Sequence, residues 1–180
     1  MMFPETFVTR RLRLRPVRPA DAAAIFAAYA QDAEVSRYLT WRPHVSVEDT
    51  AAYVAGLARH AEHRTYVLTV RVAGDRDGEV VGSFDLRRPA PGRLSFGYVL
   101  ARASWGRGLM TEALTDIVGW GLAQPGIWRI GDVADIENAA SMRVMEKAGL
   151  QREGVLRRWA IHPNLGSEPR DCVSYAKVRD

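Results

Sequence analysis

Two glycines separated by one residue, Gly106 and Gly108, lie directly before a segment with helical periodicity. Glycine lets the backbone turn tightly and approach a ligand closely. The first amides of a helix have no acceptor inside the helix, and with the positive end of the helix dipole they attract anions. The backbone N–H groups of residues 107–111, the Thr111 hydroxyl and the Arg107 charge therefore predict an anion site that would fit a pyrophosphate.

The residues around this turn argue against two other phosphate-binding loops. No Gly-Lys-Ser/Thr sequence follows it, so it is not a Walker loop. The third glycine of a dinucleotide-binding fingerprint is missing, and the turn comes late in a chain of 180 residues. A plain strand-to-helix connection without a ligand remains the alternative.

A second helical segment follows Asn138, which is a good N-cap residue. Ser141 shares one stripe of this helix with Val144, Met145 and Ala148. A hydroxyl on an apolar stripe needs a hydrogen-bond partner. The sequence leaves two partners open, a backbone carbonyl one turn back or a ligand atom.

Hydrophobic periodicity and turn residues predict the elements that position these motifs. Predicted strands cover residues 11–15, 66–72, 80–86, 94–100, 130–135, 151–162 and 172–177, with a turn at 74–78. Predicted helices cover residues 21–31, 47–62 and 109–123, and a further helix runs from Asn138 to a Gly149 cap. This order predicts an α/β (α+β) mixed sheet with one parallel pair in its middle.

Composition suits one domain over residues 1–180, because 47% of the residues are hydrophobic. Cys172 is the single cysteine, which excludes an internal disulfide and a cysteine-rich metal site. There is no membrane-length apolar run and no signal-peptide pattern, so a cytoplasmic location is expected. The net charge of +4 and the pI near 9.6 allow nucleic-acid binding, but the arginines are scattered among acids, and we expect neither a nucleic-acid nor a membrane partner.

Taken together, the motifs resemble the GNAT N-acetyltransferase superfamily, and more narrowly the branch of bacterial ribosomal-protein N-terminal (alanine/serine) acetyltransferases. The resemblance is carried by GYVL at residues 97–100, WGRGLMTEA at 105–113 and NAASMRVMEKAGL at 138–150. Residues 9–15, 153–157 and 171–175 also match, so the resemblance extends over nearly the whole chain.

This resemblance implies a GNAT-like, mostly antiparallel sheet flanked by helices, with a central parallel pair that splays to receive acetyl-CoA as cosubstrate. The pantetheine arm would pair with backbone at Val99, Leu100 and Ala101, and Asn138 would hydrogen-bond it. Ser141 would lie near the sulfur. The pyrophosphate would bind Gly106, Arg107, Gly108, Leu109, Met110 and Thr111.

The chain departs from the family pattern at two catalytic positions. Ser95 stands where many members of the branch carry a glutamate base, and Met145 stands where many relatives carry a tyrosine acid. Ser141 therefore inherits the role of proton donor to the thiolate. The candidates for the base are Asp85 and Glu137, and two histidines, His44 and His162, also titrate in a suitable range.

The expected reaction is direct attack of a primary amine on acetyl-CoA, with the oxyanion held by a backbone amide near Val99 or Leu100. The acceptor is either a protein N-terminus or a small amine, and it would contact residues 38–44 and 159–162. The chain is expected to be a monomer or a homodimer. Two rivals remain: a catalytically degenerate acyl-CoA-binding regulatory domain, motivated by Ser95, and a nucleic-acid-binding module, motivated by the pI.

Overall fold

The computed structural model describes residues 3–57, 62–73 and 76–179, which form a mixed eight-stranded sheet with helices on both faces. The sheet order is β1-β2-β3-β4-β5-β6-β8-β7, and every neighbouring pair is antiparallel except β5 with β6. This arrangement confirms the predicted fold class. The strands are β1 Phe7–Val8, β2 Leu12–Pro16, β3 His63–Val72, β4 Arg76–Ala90, β5 Arg93–Leu100, β6 Arg129–Asp135, β7 Gln151–Ala160 and β8 Arg170–Val178.

Five α-helices cover or connect these strands in the described residues. They are α1 Ala22–Ile25, α2 Ala33–Ser36, α3 Val47–Leu57, α4 Leu109–Ala123 and α5 Ala139–Lys147. A 3-10 turn, Pro19–Asp21, precedes α1, and a π-helical segment, Phe26–Ala30, continues it. None of the described helices combines the length and the apolar character that a bilayer crossing requires.

Most predicted elements are present, and the deviations have local causes. Helix α4 has the predicted limits, and β3, β4 and β8 are longer than predicted because pairing with neighbours extends them. The short β1 and α2 were not predicted, since neither is long enough to show periodicity. The helix predicted over residues 47–62 is described only to Leu57; residues 58–61, and residues 74–75 of the predicted turn, lie outside the described residues.

The sheet separates two hydrophobic clusters. On one face α4 and α5 pack against side chains such as Leu14, Phe84 and Phe96, all at most 2% exposed. On the other face the segment around Tyr29 and helix α3 cover Val67 and Val99. Each large apolar side chain buried in this way contributes about 1.5–3 kcal/mol, so both helical layers are held firmly on the sheet.

The parallel pair β5/β6 is hydrogen-bonded over a short stretch only. Register pairs Arg93 with Arg129 and Leu94 with Ile130, and beyond that point the two strands separate. The predicted splay between the strands is therefore present. Backbone groups of β5 that face β6 after Leu94 are left without a neighbouring strand.

Candidate active site

Two cavities meet where β5 and β6 separate. The smaller one, here called the cleft, has a volume of about 100 Å³. The larger one, here called the groove, is open and has a volume of about 940 Å³. Asp132 and Val133 line both cavities. The cleft is lined by residues from β5, β6 and α5 that include Tyr98, Asn138 and Ser141.

Ser141 is hydrogen-bonded to a tyrosine hydroxyl, a partner that the sequence did not suggest. Its Oγ lies 2.7 Å from the Tyr98 hydroxyl, which also lies 3.2 Å from the Ser141 carbonyl oxygen. The Tyr98 ring is stacked with Phe96 and Phe84, so the position of its hydroxyl is fixed. Burial raises the pKa of Tyr98 to about 12, against the opposing effect of its hydrogen bond with Ser141, so the phenol is protonated at neutral pH.

Asn138 is the N-cap of α5, as its position predicted. Its Oδ1 accepts a hydrogen bond of 3.1 Å from the Ser141 N–H. This contact explains why the helix begins here and fixes the first turn, on which Ser141 stands. The side chain is half-buried and also lines the cleft.

The Gly106–Gly108 turn leads from β5 into α4 with open amides. Both glycines adopt a φ of +72°, a conformation that strongly favours glycine. Gly108 is the N-cap of α4, and no side chain caps the helix. Across residues 106–111, no acceptor in the described part of the chain takes a backbone N–H. Leu109 and Met110 bury their side chains in the core while Arg107 is exposed, so these residues present backbone groups to solvent at the helix N-terminus.

Arg11 fixes this turn from outside the motif. Its Nη1 donates to the Arg107 carbonyl oxygen at 2.9 Å, and its Nε donates to Glu112 Oε2 at 2.7 Å. Glu112 also accepts from Thr9 and from the Arg11 backbone N–H. Burial alone would raise the pKa of Glu112, but these hydrogen bonds outweigh it and hold the pKa below its ordinary value.

The backbone of β5 presents alternate residues to β4 and to the cleft. The Ala101 N–H donates to the Val81 carbonyl oxygen at 2.8 Å, which assigns Ala101 and, two residues earlier, Val99 to the β4 side. The Phe96 N–H faces β6, so Tyr98 and Leu100 do as well. The Leu100 carbonyl accepts from Trp105 Nε1 at 2.7 Å. Of the three residues predicted to bind the pantetheine arm, Leu100 is the one whose N–H points away from β4, to the side on which β6 diverges.

The two predicted carboxylate bases are engaged elsewhere. Asp85 accepts a hydrogen bond of 2.6 Å from the Thr65 hydroxyl and lies 3.3 Å from His63 Nε2. Glu137 forms an ion pair with Arg170 at 2.9 Å. Neither lines the cleft or the groove. The structure therefore brings Ser141 and Asn138 together at the cleft and leaves Asp85 and Glu137 outside its lining.

The two histidines differ in their surroundings. The His44 ring lies 2.8 Å from the Thr50 hydroxyl and next to Trp41, and burial lowers its pKa. His162 lines the cleft, with Nε2 3.5 Å from Asp135 Oδ2, and its ring nitrogens are buried without a hydrogen-bond partner among the described residues.

The single cysteine, Cys172, also borders the cleft. It is buried, and burial raises its pKa to about 11, so the thiolate is disfavoured at neutral pH. No group of three or more metal-ligating side chains exists within the part of the chain that the structure describes.

An ion pair that the sequence did not suggest crosses the splay. Arg87 Nη2 on β4 donates to Asp132 Oδ2 on β6 at 2.9 Å, and Asp132 Oδ2 also accepts from the Phe96 N–H at 2.9 Å. Tyr98 and Asp132 stand in strand patterns that look ordinary in the sequence. Only the divergence of β5 from β6 turns these two positions into a site.

Comparison with known proteins places this arrangement in a family. The family model described as an acetyltransferase (GNAT) domain matches residues 11–151, and the chain belongs to this family. An acetyltransferase fold with a splayed central pair is thus established for the chain.

Particular relatives share this fold over almost their entire length. The chain is 32% identical to a Bacillus subtilis (strain 168) protein named Uncharacterized N-acetyltransferase YoaA, covering 99% of this chain and 98% of the relative. RimL, a ribosomal L7/L12 α-N-protein acetyltransferase solved with coenzyme A, has a TM-score of 0.79 at 20% identity, covering 96% of each chain. The Microcin C7 self-immunity acetyltransferase MccE, solved with acetyl-CoA and AMP, has a TM-score of 0.83 at 17% identity, covering 99% of this chain and 98% of MccE.

Proposed function

We propose that the chain is a single acetyltransferase domain over residues 1–180 that transfers an acetyl group from acetyl-CoA to a primary amine. The observation that carries this proposal is the row of backbone N–H groups at residues 106–111 that have no acceptor among the described residues. In a member of an acetyltransferase family, a glycine turn at a helix N-terminus fits the diphosphate of coenzyme A.

Acetyl-CoA is a thioester, so its acetyl group is attached to a sulfur that departs as the thiolate of coenzyme A. The N–H groups of Tyr98 and Leu100, which point away from β4 to the side on which β6 diverges, are suited to the pantetheine arm and to the acetyl oxygen. Two sets of contacts hold the walls of the site in place. Asn138 caps α5, and the backbone of Val99 and Ala101 pairs with β4.

The pair formed by Tyr98 and Ser141 is proposed to protonate the thiolate. Both hydroxyls are neutral donors at pH 7, and they lie 2.7 Å apart in the cleft. Ser141 is the proton donor that the sequence predicts, and Tyr98 supplies a second hydroxyl that orients it. A relay of two hydroxyls moves one proton without requiring a charged side chain near the sulfur.

The acceptor amine is proposed to enter through the groove, which joins the cleft at Asp132 and Val133. Trp159 lines the groove and is 59% exposed, as expected for a side chain that contacts a ligand. Tyr38, from the predicted acceptor connector, lines the cleft. The groove is open enough for either a peptide N-terminus or a small amine.

Two measurements test the proposal. Titration calorimetry should detect acetyl-CoA binding, and thiol release from acetyl-CoA across a panel of peptides and small amines should identify acceptors. Binding without thiol release for every acceptor would instead support the degenerate regulatory domain that the serine at position 95 suggested. Absence of binding would overturn the enzyme assignment.

A further inference from the structure

One carboxylate lies where the two cavities join. Asp132 and Val133 are the residues shared by the linings of the cleft and the groove, and Asp132 is the titratable one. A thioester in the cleft and an amine arriving through the groove would meet beside this side chain. That position is the one a proton acceptor for the amine must occupy.

Asp132 is rigidly held. Its Oδ2 accepts from the Phe96 N–H and from Arg87 Nη2, each at 2.9 Å, and its Oδ1 accepts from the Val133 N–H at 2.8 Å. A Cβ at Gly97 would lie 3.4 Å from Arg87 Nη2, so the missing side chain leaves room for the guanidinium to cross β5.

The charge around Asp132 is compatible with a base. Burial raises its pKa, while Arg87 and the two backbone N–H groups act in the opposite direction. Tyr98 from β5 and Cys172 from β8 also face it, and burial keeps both neutral at pH 7. Arg87 from β4 therefore supplies the charge beside the carboxylate. The net shift is upward, which strengthens Asp132 as a proton acceptor.

We propose that Asp132 is the general base of the reaction and takes the first proton from the acceptor ammonium; this inference rests on the proposed function. Position 95 on β5, in the groove lining, carries a serine and so offers no carboxylate of its own. Asp132 accepts a hydrogen bond from the N–H of Phe96, the residue after Ser95. Strand β6 therefore brings a carboxylate to the place where β5 has none.

The bonds and protons of the proposed reaction balance. Asp132 takes one proton from R–NH3⁺, and the neutral nitrogen attacks the thioester carbonyl carbon. The C–N bond forms, the C–S bond breaks, and its electron pair leaves with the sulfur. The second proton on nitrogen ends on the sulfur through Ser141 and Tyr98. Asp132 releases its proton to solvent, so the products are the amide, the free thiol of coenzyme A and one proton.

An Asp132→Asn variant tests this role, because asparagine retains an oxygen for the Phe96 N–H. We expect kcat/KM at pH 7 to fall about 100-fold or more, the usual contribution of a general base. The deficit should shrink to about 10-fold near pH 9.5, because a larger share of the amine is already deprotonated there. The acetyl-CoA Kd, measured by calorimetry, should change less than about twofold.

Two further variants make the result specific. Asp132→Glu keeps the carboxylate and should recover part of the activity at pH 7. Asp116→Asn is the matched control, since burial also raises the pKa of Asp116 but this residue on α4 lines neither cavity. Its kcat/KM should stay within about twofold of the wild type.

A deficit that is equal at every pH, or full activity in Asp132→Asn, would overturn the assignment of the base and leave the proposed function intact. If the wild-type protein binds acetyl-CoA but acetylates no amine, both proposals fail together. If Asp132→Asn loses acetyl-CoA binding, the comparison of Asp132→Glu with the wild type decides: a Glu variant that binds acetyl-CoA but stays inactive at pH 7 contradicts the proposal.

Discussion

The glycine turn at residues 106–111 and the cleft around Ser141 are built in opposite ways. The turn presents backbone N–H groups from consecutive residues, and its shape depends on two glycines with positive φ. The cleft is made of side chains from separate elements: Tyr98 on β5, Asp132 on β6 and Ser141 on α5.

This difference separates two kinds of function. A backbone site tolerates changes of side chain as long as the turn is kept, so it suits a cosubstrate that is the same throughout a family. The shape and reactivity of a side-chain site change with each substitution, so such a site suits catalysis and recognition of a particular acceptor. We therefore expect substitutions in the turn to alter acetyl-CoA affinity, and substitutions in the cleft to alter turnover.

The largest expected effect is in the cleft. Tyr98→Phe keeps the ring stack with Phe84 and Phe96 but removes the hydroxyl, and kcat should fall about 100-fold. Ser141→Ala removes the donor itself and should slow turnover by at least about 100-fold, and both variants should bind acetyl-CoA almost as tightly as the wild type. Steady-state kinetics with calorimetry checks this.

A double variant then tests whether the two hydroxyls act as one unit. The combined loss should be clearly smaller than the product of the single losses, because each hydroxyl works through the other. Multiplicative losses would mean that Tyr98 and Ser141 act independently. Unchanged turnover in Ser141→Ala would remove Ser141 from the reaction.

The next largest effect is in the turn. Gly108→Val places a β-branched side chain at a φ of +72° and should weaken acetyl-CoA binding about 10- to 30-fold, because the strained backbone moves the N–H groups. Calorimetry with acetyl-CoA measures this effect, and kcat at saturation should change much less than affinity.

Gly119→Ala is the control for this glycine substitution. A Cβ at Gly119 meets nothing within 4 Å, and the residue lies inside α4. Alanine should raise the free energy of unfolding by about 0.5–1 kcal/mol without changing acetyl-CoA affinity. Equal losses of affinity in both variants would contradict a specific role for the turn.

A smaller effect is expected where a side chain supports the turn. Arg11→Ala removes the donor to the Arg107 carbonyl and should raise the acetyl-CoA Kd about three- to tenfold, which corresponds to the net contribution of one ordinary hydrogen bond, about 1 kcal/mol. Arg158→Ala is the control, because this exposed arginine pairs with Glu168 far from the turn in sequence and outside both cavities. A Kd equal to that of the wild type in Arg11→Ala would show that the turn holds its shape unaided.

The smallest effect concerns stability and pH. The pKa of Glu112 is lowered in the folded chain, so the contribution of its carboxylate is present above the ordinary value of 4.5 and is lost as the pH falls through the folded pKa. Glu112→Gln should lower the free energy of unfolding by about 1 kcal/mol at pH 7. Urea unfolding should show the two proteins converging below about pH 4.5. A difference that persists unchanged to pH 3 would exclude this linkage.

The turn and the helix that follows it could be predicted because both are local. The limits of α4, its buried stripe and the N-cap role of Asn138 follow from periodicity and capping residues within a few positions. The identity of the Ser141 partner could not be predicted. Tyr98 lies 43 residues away, and neither a carbonyl one turn back nor a ligand atom was needed to satisfy the hydroxyl in the structure.

By itself, the sequence determined the family, the mixed sheet and the glycine turn at the N-terminus of α4, because each is read from motifs and periodicity within contiguous residues. The tertiary structure alone decided which hydroxyls touch, which backbone groups of β5 remain open, and which carboxylate borders both cavities. These depend on how far β5 and β6 diverge after Leu94 and Ile130, and a separation between strands is set by packing across the whole sheet rather than by any local pattern.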